Sequence, residues 1–182
     1  MSICLDGNGI NDEDVEVLVD SLQHNTSLHV LSLENNPFTE QGLCALLRLL
    51  NNVSSIGSTL VSNHTLKSIT VPHSIGDFTI PRPEPNSADD TPTRKELRKY
   101  IKDATRINSN SSNPGRDKVI QTQLNSTKRY ELAHVLGTSD SLFSDDDAYL
   151  LPEVLALVGE KHGQNGLYQL LIEVVPYLMS SA

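Results

Sequence analysis

The sequence predicts an α/β protein: a short solenoid with parallel strands inside and helices outside, followed by a helical C-terminal segment. Three observations predict it. Shifting the chain by 28 residues lays Ile3 on Leu31, Leu5 on Leu33, Asn8 on Asn36, Ile10 on Phe38, Val15 on Leu43, Leu18 on Leu46 and Leu22 on Leu50; such self-similarity at a fixed period marks stacked repeats. Within each copy the apolar residues switch from alternation to the i, i+3, i+4, i+7 spacing, which is a strand followed by a helix. Beyond a proline-rich break the chain carries helical patterning alone.

The elements follow in order. In the first copy Ile3 and Leu5 alternate with polar residues, Asn11 stands where a helix cap belongs, and Asp12, Glu13 and Asp14 fill a first turn whose dipole favours acids. Val15, Leu18, Val19 and Leu22 then form one apolar helix face. In the second copy Leu28, Leu31 and Leu33 supply the strand, and Asn36 satisfies backbone groups as the chain turns away. Thr39 and Glu40 start a helix whose buried face is Leu43, Leu46, Leu47 and Leu50. A third strand begins at Leu66, with Ile69 and Val71, at an offset of 38 from Leu28, so an insertion falls in the Ser/Asn-rich stretch 51–65. One strand and one helix cannot bury their apolar face alone, so the copies, residues 1–72, must stack.

Residues 73–93 hold Pro81, Pro83, Pro85 and Pro92 among Asn, Ser and Asp, the composition of a linker. Residues 94–182 read as a helical cap. Thr93 and Glu96 have capping-box spacing before the stripe Leu97, Tyr100, Ile101 and Ala104. The Asn/Ser run 108–113 reads as a loop, and Asn113-Pro114 as the start of a helix ending near Thr127 with Val119, Ile120 and Leu124 inside. The last forty residues predict a helical pair, one face being Leu150, Leu151, Val154, Leu155 and Val158 and the other running from Leu167 to Leu178.

The segment Leu28-x-x-Leu31-x-Leu33-x-x-Asn36, with its 28-residue period and full helix, resembles the leucine-rich repeat of the ribonuclease-inhibitor type. The resemblance covers residues 2–72, with Leu5, Asn8, Leu28, Leu31, Leu33, Asn36, Leu66 and Ile69 at the repeat's structural positions. It implies a curved stack that binds partners on its inner face, where Cys4, Asp6, Val30, Ser32, Glu34, Ser68 and Thr70 should point. The run from Ser62 to the C-terminus is also similar to the tails of uncharacterised repeat-rich proteins of unicellular algae, which implies no known activity. The chain begins within a repeat, so an open strand edge at Ser2–Leu5, self-association through it, and a longer parent array are expected.

Charge and composition narrow the function. The net charge is −9, with 9 acidic and 2 basic residues in 1–80, 8 acidic and 11 basic in 81–143, and 6 acidic and 1 basic in 144–182. An acidic field repels phosphate backbones, so the expected partner is another protein with a basic surface rather than a nucleic acid. Two cysteines make no disulfide framework, no stretch has the apolar length of a membrane helix, and Met1–Asp6 lacks a signal-peptide n-region. The protein is therefore read as cytoplasmic, with no membrane partner.

Chemistry is sparse. No phosphate-loop glycine pattern, nucleophile elbow or HExxH spacing occurs, so no catalytic residue, metal or cofactor is expected. Asp145-Asp146-Asp147 is a run of helix-start acids rather than converging metal ligands. Arg94, Lys95, Arg98, Lys99, Lys102 and Arg106 could touch RNA or an acidic membrane surface, but their spacing reads as the solvated face of one amphipathic helix, with pairing to the acidic repeats equally open. The leading reading is a protein-interaction scaffold. A regulator of small GTPases is the alternative, disfavoured because residues 1–47 contain no arginine or lysine, and an enzyme on the helical C-terminal half, with Asp145–Asp147 and His162 as its candidate chemistry, is the weakest.

Overall fold

The computed structural model describes residues 1–72, 93–138, 142 and 145–160, with the side chains of Asp145, Asp146 and Ala148 left aside. The described chain is mixed α/β and mostly helical, with a three-stranded parallel sheet. It divides into two compact units, one made of Met1–Leu50 and Asn63–Ser111 and the other of Asn51–Ser62 and Ser112–Ala182.

In the first unit, strand β1 (Ser2–Cys4) leads to helix α1 (Asp12–Leu22), β2 (Val30–Ser32) to α2 (Glu40–Leu50), and β3 (Ser68–Thr70) to α4 (Arg94–Asn110). The sheet order is β1-β2-β3. Ser2, Val30 and Ser68 stand in register, as do Ile3, Leu31 and Ile69, and Cys4, Ser32 and Thr70. The sequence offsets of 28 and 38 are thus the register shifts of the sheet. Leu28, Leu31, Leu33, Leu43, Leu46, Leu47, Leu50 and Leu66 are buried as expected, while Leu5 and Ile69 are half-buried and Asn8 is exposed.

Asn36 holds two successive turns together. Its Oδ1 accepts from the backbone N–H of Asn8 at 3.0 Å and of Ile10 at 3.1 Å, and its Nδ2 donates to the carbonyls of Leu5 and Leu33, both at 2.9 Å. Asn25 and Asn63 play matching parts before β2 and β3: each Oδ1 accepts from two backbone amides, Ser27 and Leu28 in one case, Thr65 and Leu66 in the other.

Asp12, which the sequence presents as one helix-start acid among three, has a longer reach. Its Oδ1 accepts from the amides of Thr39 at 2.8 Å and Gly42 at 2.7 Å, and its Oδ2 from the Thr39 hydroxyl at 2.8 Å. The carboxylate of α1 therefore satisfies the open amides at the start of α2. Thr39, expected to cap α2 by itself, accepts only a long 3.3 Å bond from Gln41. Glu40, 28 residues after Asp12, repeats the device with a charge partner, taking Nε of Arg94 at 3.1 Å.

Helix α4 groups with the first unit rather than with the residues after Ser111. Residues 94–182 were expected to act together as a cap, yet α4 packs on α2 and β3 inside the first unit. Thr93, Arg94 and Leu97 follow Thr39, Glu40 and Leu43 at an offset of 54, so α4 completes the third strand. The Thr93–Glu96 capping box forms as expected. The expected loop at 108–113 begins later, because α4 runs to Asn110. Asn108, only 3% exposed, donates to the carbonyls of Asn63 and Leu66, and these tertiary bonds override its loop preference.

The second unit takes its first part from the Ser/Asn-rich insertion, where Ser55 caps the short helix α3 (Ile56–Leu60). Asn113 caps α5 (Pro114–Lys118), which continues as a π turn over Val119–Gln123. The expected helix to Thr127 breaks here: Asn125 caps a new helix, α6 (Ser126–Leu136), which Gly137 ends in the left-handed conformation. A 3-10 turn (Asp145–Leu150) precedes the helical residues 151–160. Ile56, Val119, Leu142, Leu150, Val154 and Val158 form the core. The buried Gln123 ties the unit's two chain segments, donating to the Ser55 carbonyl and the Thr59 hydroxyl at 2.9 Å each. The expected helix from Leu167 to Leu178 and the linker 73–92 lie outside the described residues.

Candidate functional site

Because side chains alternate along a strand, turning the buried Leu31 inward, with the half-buried Ile3 and Ile69 in register beside it, sends their neighbours to the opposite face of the sheet. The structure places all seven residues singled out in the sequence there or on the turns that follow. Cys4, Asp6, Val30, Ser68 and Thr70 are exposed, and Ser32 and Glu34 are half-buried. The strand register lines up Val30 with Ser68, and Ser32 between Cys4 and Thr70.

The face is internally bonded. The Ser32 and Thr70 hydroxyls lie 2.6 Å apart. The Cys4 thiol donates to Asp6 Oδ2 at 3.2 Å, and the Glu34 amide to Asp6 Oδ1 at 2.8 Å. These donors, with the Ser32 hydroxyl foremost, hold the Asp6 carboxyl below the usual range, so it stays charged. Asp6 and Glu34 make this end of the face acidic.

The sequence reading missed what borders the other end. A groove of about 740 Å³ runs beside β3, lined by Glu34, Ser68 and Thr70 on one side and by Lys95, Arg98 and Lys102 of α4 on the other. The basic residues expected to be a plain solvated face are one wall of this groove. Their helical spacing was visible; their position beside β3 was hidden by the 23 residues between Thr70 and Arg94.

Among the described residues no group of three or more His, Cys, Asp or Glu could hold a metal ion. Asp147 is buried, and a Cβ on Gly57 would run into its carboxylate. Cys44 is half-buried, and that burial raises its thiol pKa, making it a poor nucleophile. His162, the remaining candidate for an enzyme, lies outside the described residues. No helix among the described residues is long and apolar enough to cross a membrane. No family model matches the chain, and comparison with curated proteins and with solved structures finds no match.

Proposed function

We propose that the first unit is a short leucine-rich-repeat stack of the ribonuclease-inhibitor type, and that it works as a protein-interaction scaffold. The partner lies on the sheet face of Cys4, Asp6, Val30, Ser32, Glu34, Ser68 and Thr70, with basic groups toward Asp6 and Glu34. The observation that carries the reading is the register that sets Val30 beside Ser68 and Ser32 between Cys4 and Thr70 on an exposed face. Short side chains on a rigid sheet give a partner close approach with little ordering entropy to lose. Cys4 and Cys44 are not joined in a disulfide, which suits a cytoplasmic location.

The test compares the full-length chain with Val30→Arg and Ser68→Arg variants as bait, after circular dichroism has shown equal folding. Each variant puts a bulky cation in the middle of the face. A binder retained by the parent chain should be lost at least about tenfold from both variants, which is roughly 1.4 kcal/mol. Equal retention by all three would overturn the sheet face as the binding surface.

A further inference from the structure

The first unit ends differently on its two sides, and the ends are complementary. At the β1 side the repeat positions lack cover. Ile3, Leu5, Ile10 and Leu18 are half-buried, whereas their counterparts 28 residues on, Leu31, Leu33, Phe38 and Leu46, are at most 1% exposed. The flank of α1 tells the same story. Val17 is 67% exposed, while Ala45, its counterpart in α2, is 0% exposed. Ser21 is exposed, and its counterpart Leu49 is buried. What covers that flank of α2 is α1; α1 itself has no preceding helix among the described residues. This end is also acidic: α1 carries Asp12, Glu13, Asp14, Glu16 and Asp20 and no basic residue.

At the other side β3 pairs with β2 and with no further strand among the described residues. The groove beside it has an apolar floor including Ile69 and Ile101, under a wall of Lys95, Arg98, Lys99 and Lys102.

We propose that these two ends bind each other in different copies of the chain, so that copies add head to tail. The β1 edge of one copy meets the β3 edge of the next, continuing the parallel sheet, and the acidic α1 packs along the basic flank of α4. The sheet register gives the geometry: α1 of the added copy sits on α4 as α2 sits on α1, with Val17 and Ser21 buried as Ala45 and Leu49 are. Charge selects the pairing, since joining two like ends would set acid against acid or base against base. A head-to-tail contact uses two different surfaces, so it extends into open rows rather than stopping at a dimer. The groove shares Glu34, Ser68 and Thr70 with the sheet face proposed to bind a partner, so the variants that test this contact change only α1 and α4, outside that face.

The test uses light scattering on the full chain over a range of concentration and salt, with two variants checked for folding by circular dichroism. One is Glu13→Lys, Val17→Lys, Asp20→Lys and Ser21→Lys, which leaves α1 with three acids and four bases in place of five acids and none. The other is Lys95→Glu, Lys99→Glu and Lys102→Glu, which leaves α4 with five acids and three bases in place of two acids and six bases. The parent chain should grow in mass with concentration and dissociate as salt screens the contact. Each variant alone should associate at least about tenfold more weakly. Mixing the two should restore association, because the basic α1 flank of one now faces the acidic α4 flank of the other. A parent chain that stays monomeric, a variant that associates as strongly as the parent, or a mixture that remains dissociated would each overturn the proposal.

Discussion

Asn8 and Asn36 are the same residue at equivalent positions, yet replacing them should have very different consequences. Asn36 is 4% exposed. Asn36→Ala would strip an acceptor from the amides of Asn8 and Ile10 and a donor from the carbonyls of Leu5 and Leu33. A buried polar group left without a partner costs about 1–3 kcal/mol. Water can reach the part-buried groups, so the four together should cost about 3–5 kcal/mol, a large part of the roughly 5–15 kcal/mol that stabilises a typical domain. Asn8 is exposed, and its side chain makes one bond, from Nδ2 to the Asp6 carbonyl at 3.2 Å. Asn8→Ala should therefore cost less than about 1 kcal/mol. Urea unfolding followed by circular dichroism gives the global values, and hydrogen exchange over residues 1–50 locates the loss. Equal costs at the two positions would refute the reasoning, because the bonding around Asn36 would then not be what stabilises the turns.

Two further substitutions test the helix contacts and the buried charge. Gly42→Ala should destabilise despite the roughly 1 kcal/mol gain in helix propensity, because the new Cβ would lie 2.8 Å from Asp12 Oδ1 and 2.9 Å from Phe38 Cδ2; a rise in thermal stability would contradict that packing. Burial pushes the Lys118 ammonium down from 10.5 to about 7. Between those two values the unfolded chain holds a proton that the folded chain has released, so stability should rise with pH across the window. Lys118→Met should remove that slope and stabilise the protein at pH 7 by at most about 4 kcal/mol. Parallel stability curves for parent and variant from pH 7 to about 10 would show the lysine to be solvated instead.

What could be read from the sequence was whatever stays local or keeps a constant offset. Leu31 and Leu33 recur from Ile3 and Leu5 because strand register and repeat period are the same quantity. The caps at Asn11, Thr93 and Asn113 were legible because each bonds within three residues of itself. The seven face residues follow from the repeat resemblance together with strand alternation. Other features depend on distant partners and left no local mark. Asp12 looks like any acid in a first turn, although its partners are 27 and 30 residues away. The run Asn108-Ser109-Asn110 has loop composition, but Asn108 finds its acceptors 42 and 45 residues back. The groove went unseen for the same reason, since α4 is far from β3 in sequence and beside it in space.

The way the chain is shared between the two units has a consequence for taking the protein apart. Residues 51–62 leave the first unit for the second, and the chain returns at Asn63 before crossing again after Ser111. No single peptide cleavage can therefore separate one whole unit from all of the other. A protease that nicks the backbone at one exposed site leaves fragments that still interlock. An unfolding machine pulling from the C-terminus must dismantle Ser112–Ala182, then draw out α4, before it can free the remaining piece of the second unit at Asn51–Ser62. Extraction from either end has to break both units before one is fully removed, so degradation is expected to proceed to completion or barely to begin.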